Sequence, residues 1–418
     1  MPGCADDGDG TSEASSTGAA SSDVGSSSDA GSTGATSSIG DGVCGDGLLD
    51  PGEVCDRPGD GCDASCQYID RTVWTVTRGG PDRETWIYDI AIDPAGQIIV
   101  LGATAEPMGY TGWLLALDAQ GGEQWQVTLP PEALDTPFQS HLAVSADGIF
   151  IQGYGVYQFS PKGEAGWYTW PPYHAFTTLT VADGAVYAGG AEFSADTPDG
   201  DQLYRFVLSR IDANTGDVVW DRIVGDDMTS TIATSVAVTG DTVLAMGQWS
   251  SLTNDSGGGA QVAVDAATGS SGSLLLSDIE EYPLVLGALP KGDLMLAGFA
   301  PNGLFVRRFT LAGEVRWTAA LALEAQLGEM AVAPDEGAVL VGKISTAVGP
   351  HGFLQGVSSA GAAAWTLGYA PEDPANGVIV SGAAFGPDFF VAAGQEYRSL
   401  DQGGTAWIRR IDLEGVMP

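Results

Sequence analysis

The sequence predicts an all-β fold: a seven-bladed β-propeller closed by an N-terminal outer strand, preceded by a disordered stalk and a small disulfide-rich module. Three observations predict it. A phrase of alternating apolar residues, a Gly/Asp turn and a β-rich run ending in glycine recurs seven times, from IYDIAIDPAGQIIVLG to AAFGPDFFVAAG. Its closing glycines (Gly102, Gly153, Gly190, Gly247, Gly298, Gly342 and Gly394) are on average about 49 residues apart, a propeller-sized period. Finally, the last repeat ends soon after WIRRIDLEG without a fourth strand, while Val73-Trp74-Thr75-Val76, ahead of the first repeat, matches one. A strand borrowed from the N-terminus closes the ring and leaves no open sheet edge.

Taken in chain order, residues 1–43 come first. Their Ser, Gly, Ala, Thr and Asp offer too little apolar surface to offset ordering entropy, so a flexible stalk is expected. The opening Met1-Pro2-Gly3-Cys4 resembles the end of a bacterial lipoprotein cleavage box, which implies lipidation at Cys4. No run of apolar residues is long enough to span a bilayer as a helix, so the membrane is expected to be reached only through that anchor.

Residues 44–70 form the second segment. Cys44, Cys55, Cys62 and Cys66 lie among Gly, Asp and Pro, too polar a setting for a hydrophobic core. Two disulfides in any of three connectivities, or a four-cysteine zinc site, would hold such a module. The secretion-like start favours disulfides. Asp46, Glu53, Asp56 and Asp60 could ligate calcium, although aspartates in tight turns explain the same pattern. The run C-G-D-G, then G-E-x-C-D, then D-G-C-x-x-x-C resembles the myxobacterial cysteine-rich repeat family of surface proteins. That resemblance implies an extracellular adhesive or spacer module without chemistry of its own.

Residues 71–418 carry the repeats. Each glycine-closed phrase is followed by a second hairpin, such as FVLSRIDANTGDVVWDRIV, whose last strand often bears a tryptophan: Trp125, Trp167, Trp220, Trp317 or Trp365. The fourth repeat has Leu274-Leu275-Leu276 instead. Period-two alternation bounded by Gly/Asp turns reads as two hairpins, hence a four-stranded blade. The tryptophan strands and turns such as DANTGDVVW resemble the pyrroloquinoline-quinone-like propeller superfamily, and Gly79-Gly80-Pro81-Asp82 resembles the openings of related extracellular repeats. The resemblance implies tryptophans packed between blades. The superfamily's quinone enzymes use a vicinal disulfide and calcium, but no cysteine lies beyond Cys66, so no cofactor is expected. The superfamily also includes a bacterial lipoprotein propeller that assists outer-membrane protein assembly.

The charge excludes one class of partner. The chain has 16 Lys+Arg against 54 Asp+Glu, a net charge of −38, and such a field repels nucleic acid. Catalytic constellations are thin. His141, His174 and His351 fall in different repeats, and carboxylate pairs such as Glu280-Glu281 and Asp226-Asp227 are unremarkable in so acidic a chain. The expected function is therefore non-catalytic: a monomeric cell-envelope or extracellular propeller recognising a protein or glycan, with insertions near 192–205 and 250–260 as candidate contacts. The alternatives are a glycan-active hydrolase or lyase with acidic residues at the central channel, and a passive envelope spacer.

Overall fold

The computed structural model describes residues 71–413, except 81–82, 108, 134–139, 154, 172–173, 197–201, 226–228, 252–256, 271–273, 278–280, 302, 322–324, 347–348, 372–375 and 400–401. Cys4, the four cysteines at 44–66 and the acidic residues beside them lie outside this range. The described residues form seven four-stranded antiparallel sheets. The inner strands, in blade order, are Thr85–Ile92, Leu142–Val144, His174–Ala182, Thr229–Thr239, Tyr282–Ala288, Ala325–Val332 and Gly377–Phe385. Six sheets follow sequence order from inner to outer strand. The seventh takes its outer strand, Thr72–Gly79, from the N-terminal side of the repeats, paired antiparallel to Gln402–Ile411. The borrowed strand is where the repeat count predicted it.

Burial shows how the ring holds together. Each of seven apolar clusters joins residues of two neighbouring blades. One of them packs Ile87, Val100 and Leu115 of blade 1 against Val391, Ala393 and Ile408 of blade 7, closing the circle. A single blade is apolar on both faces and cannot be covered alone, so the packing is between repeats rather than within them.

The tryptophans reinforce these junctions. Trp74, Trp167, Trp220 and Trp317 each reach from an outer strand to the next blade's outer turn, donating Nε1–H to the carbonyls of Ala119, Ala213, Ala266 and Ser359 at 2.9–3.1 Å. Each ring lies on a turn glycine with positive φ, as Trp220 does on Gly269 (φ +63). Trp125 covers Gly163 in the same way. Two junctions differ. The outer strand of blade 4, Leu275–Ser277, has no tryptophan, and Gly313 in the facing turn of blade 5 is open. Trp365 is buried over Gly356 of its own blade.

Many aspartates close turns. Asp93 Oδ1 accepts backbone N–H bonds from Ala95 and Gln97, and Asp118 Oδ1 accepts them from Gln120 and Gly122. Bonds from the Thr215 and Asn214 amides hold the Asp212 carboxyl below its usual pKa, and bonds from Thr268 do the same for Asp265. Acidity here serves turn geometry.

The closing glycines have a shared cause. Six inner strands carry a bulge, at Tyr88, Thr177, Thr234, Leu284, Gly328 and Ser381. In those blades, a Cβ on the closing glycine of the second strand would run into the inner-strand carbonyl beside the bulge, as at Gly247 with Ile232 and Gly342 with Gln326. Glycine admits the bulge, and the bulge re-aims a side chain at the centre of the ring.

The candidate insertions turn out to be mostly strand. Residues 192–196 and 202–205 extend the middle hairpin of blade 3, and 250–251 and 257–260 extend that of blade 4. Hydrogen-bonded pairing continues outward to Asp196–Gln202 and Ser250–Gly257, so these segments are long hairpins rather than loose loops.

Candidate functional site at the channel mouth

All inner strands start on one face of the ring, and there the central channel opens into a cavity of about 430 Å³. Six blades line it: Trp86–Tyr88, Ser140 and His141, Thr177, Ile232–Thr234, Gln326–Gly328, and Ile379 with Ser381; Gln395 joins from the second strand of blade 7. Five of the six bulge residues are among them. Among the described residues no Asp, Glu, Lys or Arg lines the cavity, although the protein is strongly acidic.

Some of these polar groups are already committed. Thr177 Oγ1 donates to the Ala233 carbonyl at 2.5 Å, and Thr234 Oγ1 to that of Pro283 at 3.2 Å. Others are not. Tyr88 Oη, Ser140 Oγ and Gln395 Oε1 are buried without a hydrogen-bond partner among the described residues. Ser140 is only 4% exposed. Burial, then the nearby Tyr110 and Glu84, raise the Tyr88 pKa, so its hydroxyl remains protonated and able to donate. Unpaired buried polar atoms are costly, and three of them belong to residues that line this one cavity.

An acidic pair sits behind this wall, one residue after the bulge in blades 1 and 6. Asp89 Oδ2 accepts the Leu142 N–H at 2.7 Å, and Oδ1 accepts the Ile90 N–H at 2.7 Å. Glu329 Oε2 accepts the Ala383 N–H at 3.1 Å. Both carboxyls therefore clasp the next blade's inner strand; Ser235 Oγ, accepting the Leu286 N–H at 2.8 Å, plays the same role in blade 4. Burial first, and the negative charge of Asp89 second, push the Glu329 carboxyl well above its ordinary pKa. His141 Nδ1 lies 3.7 Å from Asp89 Oδ2, and its half-exposed imidazole faces the cavity.

The other histidines are elsewhere. His174 Nε2 is 3.5 Å from Asp221, and burial lowers the pKa of His351. Glu281 is engaged by Arg307 through bonds of 2.8 and 2.9 Å. Among the described residues no cluster of His, Cys, Asp and Glu suits a metal ion. A second cavity, of about 540 Å³, opens beside Phe385–Phe390 and Arg410–Leu413, where Gly386 N–H closes its own turn on Phe389 O and Asp412 N–H donates to Arg71 O. Sequence reasoning missed Tyr88, Ser140, His141, Glu329 and Gln395 as a group. The signal that could have found four of them is position, since each lies in or just before the first strand of a repeat; Gln395 directly follows a closing glycine.

The comparisons with known proteins agree with the architecture. A family described as outer membrane protein assembly factor BamB matches residues 111–273. No curated protein matches the chain. Kuenenia stuttgartiensis hydrazine synthase superposes with a TM-score of 0.50 at 12% identity, covering 80% of this chain and 99% of that one. A catalytically inactive virginiamycin B lyase from Staphylococcus aureus, solved with quinupristin, gives a TM-score of 0.50 at 12% identity over 80% of this chain and 98% of that one. Chaetomium thermophilum Raptor gives 0.53 at 10% identity, covering 82% of this chain but 29% of its own. At such identities these proteins share a fold with this chain, and their activities remain their own.

Proposed function

We propose that this chain is a non-catalytic binding propeller of the cell envelope whose ligand seat is the channel mouth. One observation carries the reading: Tyr88, Ser140 and Gln395, each with a buried side-chain oxygen that has no described hydrogen-bond partner, all line one cavity. Pockets of this size with a few convergent polar groups are the usual form of a binding site. The match of residues 111–273 to the outer membrane assembly-factor family supports an envelope association. Lipidation at Cys4 would tether the ring, with Cys44, Cys55, Cys62 and Cys66 stapling the module between. Photo-crosslinking in cells tests the seat. A crosslinker replacing Gln326, exposed at the mouth, is expected to give a discrete adduct, and one replacing Val315, exposed on the opposite face, to give none. Equal adducts from both, or none from Gln326, would count against it.

A second reading has its own observation. A carboxyl whose pKa is raised by burial and by a neighbouring carboxyl group, as that of Glu329 is by burial and Asp89, is the arrangement general acids use, and His141 lies 3.7 Å from Asp89. In that reading the ring is a glycan hydrolase or lyase. Turnover of an oligosaccharide library that disappears in Glu329→Gln would support it; no turnover by the parent chain would exclude it.

A further inference from the structure

The face around the mouth carries a second, independent pattern. Strands alternate in direction within each blade, so one face holds the starts of the first and third strands and the ends of the second and fourth. Among the described residues the exposed large aromatics are Tyr110, Tyr168, Trp170, Phe193 and Tyr282. Tyr282 starts an inner strand, Tyr110 starts a third strand, Phe193 lies near the end of a second, and Tyr168 and Trp170 lie at the end of a fourth. All five therefore lie on the channel-mouth face. The opposite face exposes aliphatic residues instead: Val73, Val218, Leu311 and Val315.

Three of these rings are braced by other rings. Tyr110 meets Trp86, which lines the cavity, edge-on at 4.9 Å, so the aromatic surface is continuous with the seat. Tyr168 stacks on Tyr157 at 4.2 Å, and Phe193 meets Tyr204 at 6.1 Å. Arginines of the same face are matched by carboxylates: Arg83 with Glu106, and Arg205 with Glu192 at 2.6 Å. Lys343, across from Gln326, lies over the Tyr397 ring at 6.0 Å, so among the described residues of this face no cluster of unpaired cations is left to hold an anion.

We infer that the channel-mouth face binds a neutral glycan chain, one sugar seated in the cavity and neighbouring sugars laid across the exposed rings. The inference rests on the channel mouth being the binding seat and assigns its ligand class. The chemistry is complementary on three counts. A pyranose ring has an apolar C–H face that fits the exposed face of an aromatic ring. Its hydroxyls both donate and accept, as the Tyr88 and Ser140 hydroxyls and the Gln395 carbonyl require. A net charge of −38 opposes uronate or sulfated chains, leaving uncharged ones.

Calorimetric titration of the full chain tests this, using di-, tetra- and hexasaccharides of N-acetylglucosamine and of glucose as neutral probes and oligouronate and heparin-type fragments as anionic ones. The expected result is binding of a neutral series that strengthens with chain length, with no heat from the anionic probes. Tyr110→Ala and Ser140→Ala are each expected to weaken that binding about tenfold, a loss of about 1.4 kcal/mol. Val315→Ala should leave it unchanged, and unfolding curves recorded in parallel exclude misfolding as the cause. Preference for anionic probes would overturn the assignment. So would silence toward all probes from a chain that still crosslinks a partner through Gln326, an outcome that spares the seat and removes the ligand class. Neutral binding indifferent to both Tyr110→Ala and Ser140→Ala would overturn the seat as well.

Discussion

The outer belt and the inner wall of this ring are built from the same seven repeats to opposite specifications. In the belt, a tryptophan, a turn glycine and a backbone carbonyl recur with nearly one geometry, from Trp74 on Gly121 to Trp317 on Gly361. At the wall, the bulge position is Tyr, Thr, Thr, Leu, Gly or Ser, and the residue after it Asp, Thr, Ser, Val, Glu or Gly. Repetition marks where every junction must solve the same packing problem. Variety, with polar atoms left open, marks where the ring meets something other than itself.

The largest expected effect breaks the belt. Trp220→Ala removes a buried indole and its bond to Ala266, and urea unfolding should show a loss of about 3–5 kcal/mol. Next comes the contrast within the belt. Gly313→Ala adds only the strain of a positive φ, about 1–2 kcal/mol, because nothing lies within 4 Å of its new methyl group. Gly269→Ala adds the same strain and a collision with Trp220, whose ring is 2.7 Å from the new Cβ, so it should cost more. Equal losses in the two variants would mean that the tryptophan clasp contributes little.

A third prediction concerns the wall and has a sign fixed by linkage. The Glu329 carboxyl titrates higher folded than its ordinary 4.5, so the folded chain keeps that proton longer than the unfolded one. Its contribution is therefore most favourable below about 4.5 and declines as pH rises toward the folded value. Glu329→Gln keeps an acceptor for the Ala383 N–H, removes this decline and should raise the melting temperature at neutral pH but not at pH 4. An unchanged slope of melting temperature with pH would contradict the buried acid. The smallest effect is that of Ser140→Ala, expected to stay within about 0.5 kcal/mol because its hydroxyl has no described partner to lose.

The belt was legible in the sequence because its parts recur at fixed spacing: closing glycine, Asp/Gly turn, tryptophan. Even its exception was readable, since Leu274-Leu275-Leu276 replaces the tryptophan in blade 4 and Gly313 is correspondingly open. The closing glycines were counted before their cause was visible, because a bulge is a relation between two strands. The wall was not legible for a related reason. Tyr88, Ser140 and Gln395 are some 300 residues apart along the chain at the extremes, and only ring closure brings them to one opening, with Glu329 behind its wall. His141 read as an isolated histidine until Asp89 of the preceding blade was placed 3.7 Å away. Length also misled: the segments near 192–205 and 250–260 looked like loops, and cross-strand pairing makes most of them hairpin.

The division of labour between belt and wall is the central claim, and paired urea unfolding and neutral-oligosaccharide titration of Trp220→Ala and Ser140→Ala test it most directly. The account predicts a crossed result: Trp220→Ala loses stability yet binds as the parent does under native conditions, while Ser140→Ala keeps its stability and binds about tenfold more weakly. If both variants lost stability and affinity together, or if Ser140→Ala and Tyr110→Ala both bound normally, the ring would have no separate seat at its mouth.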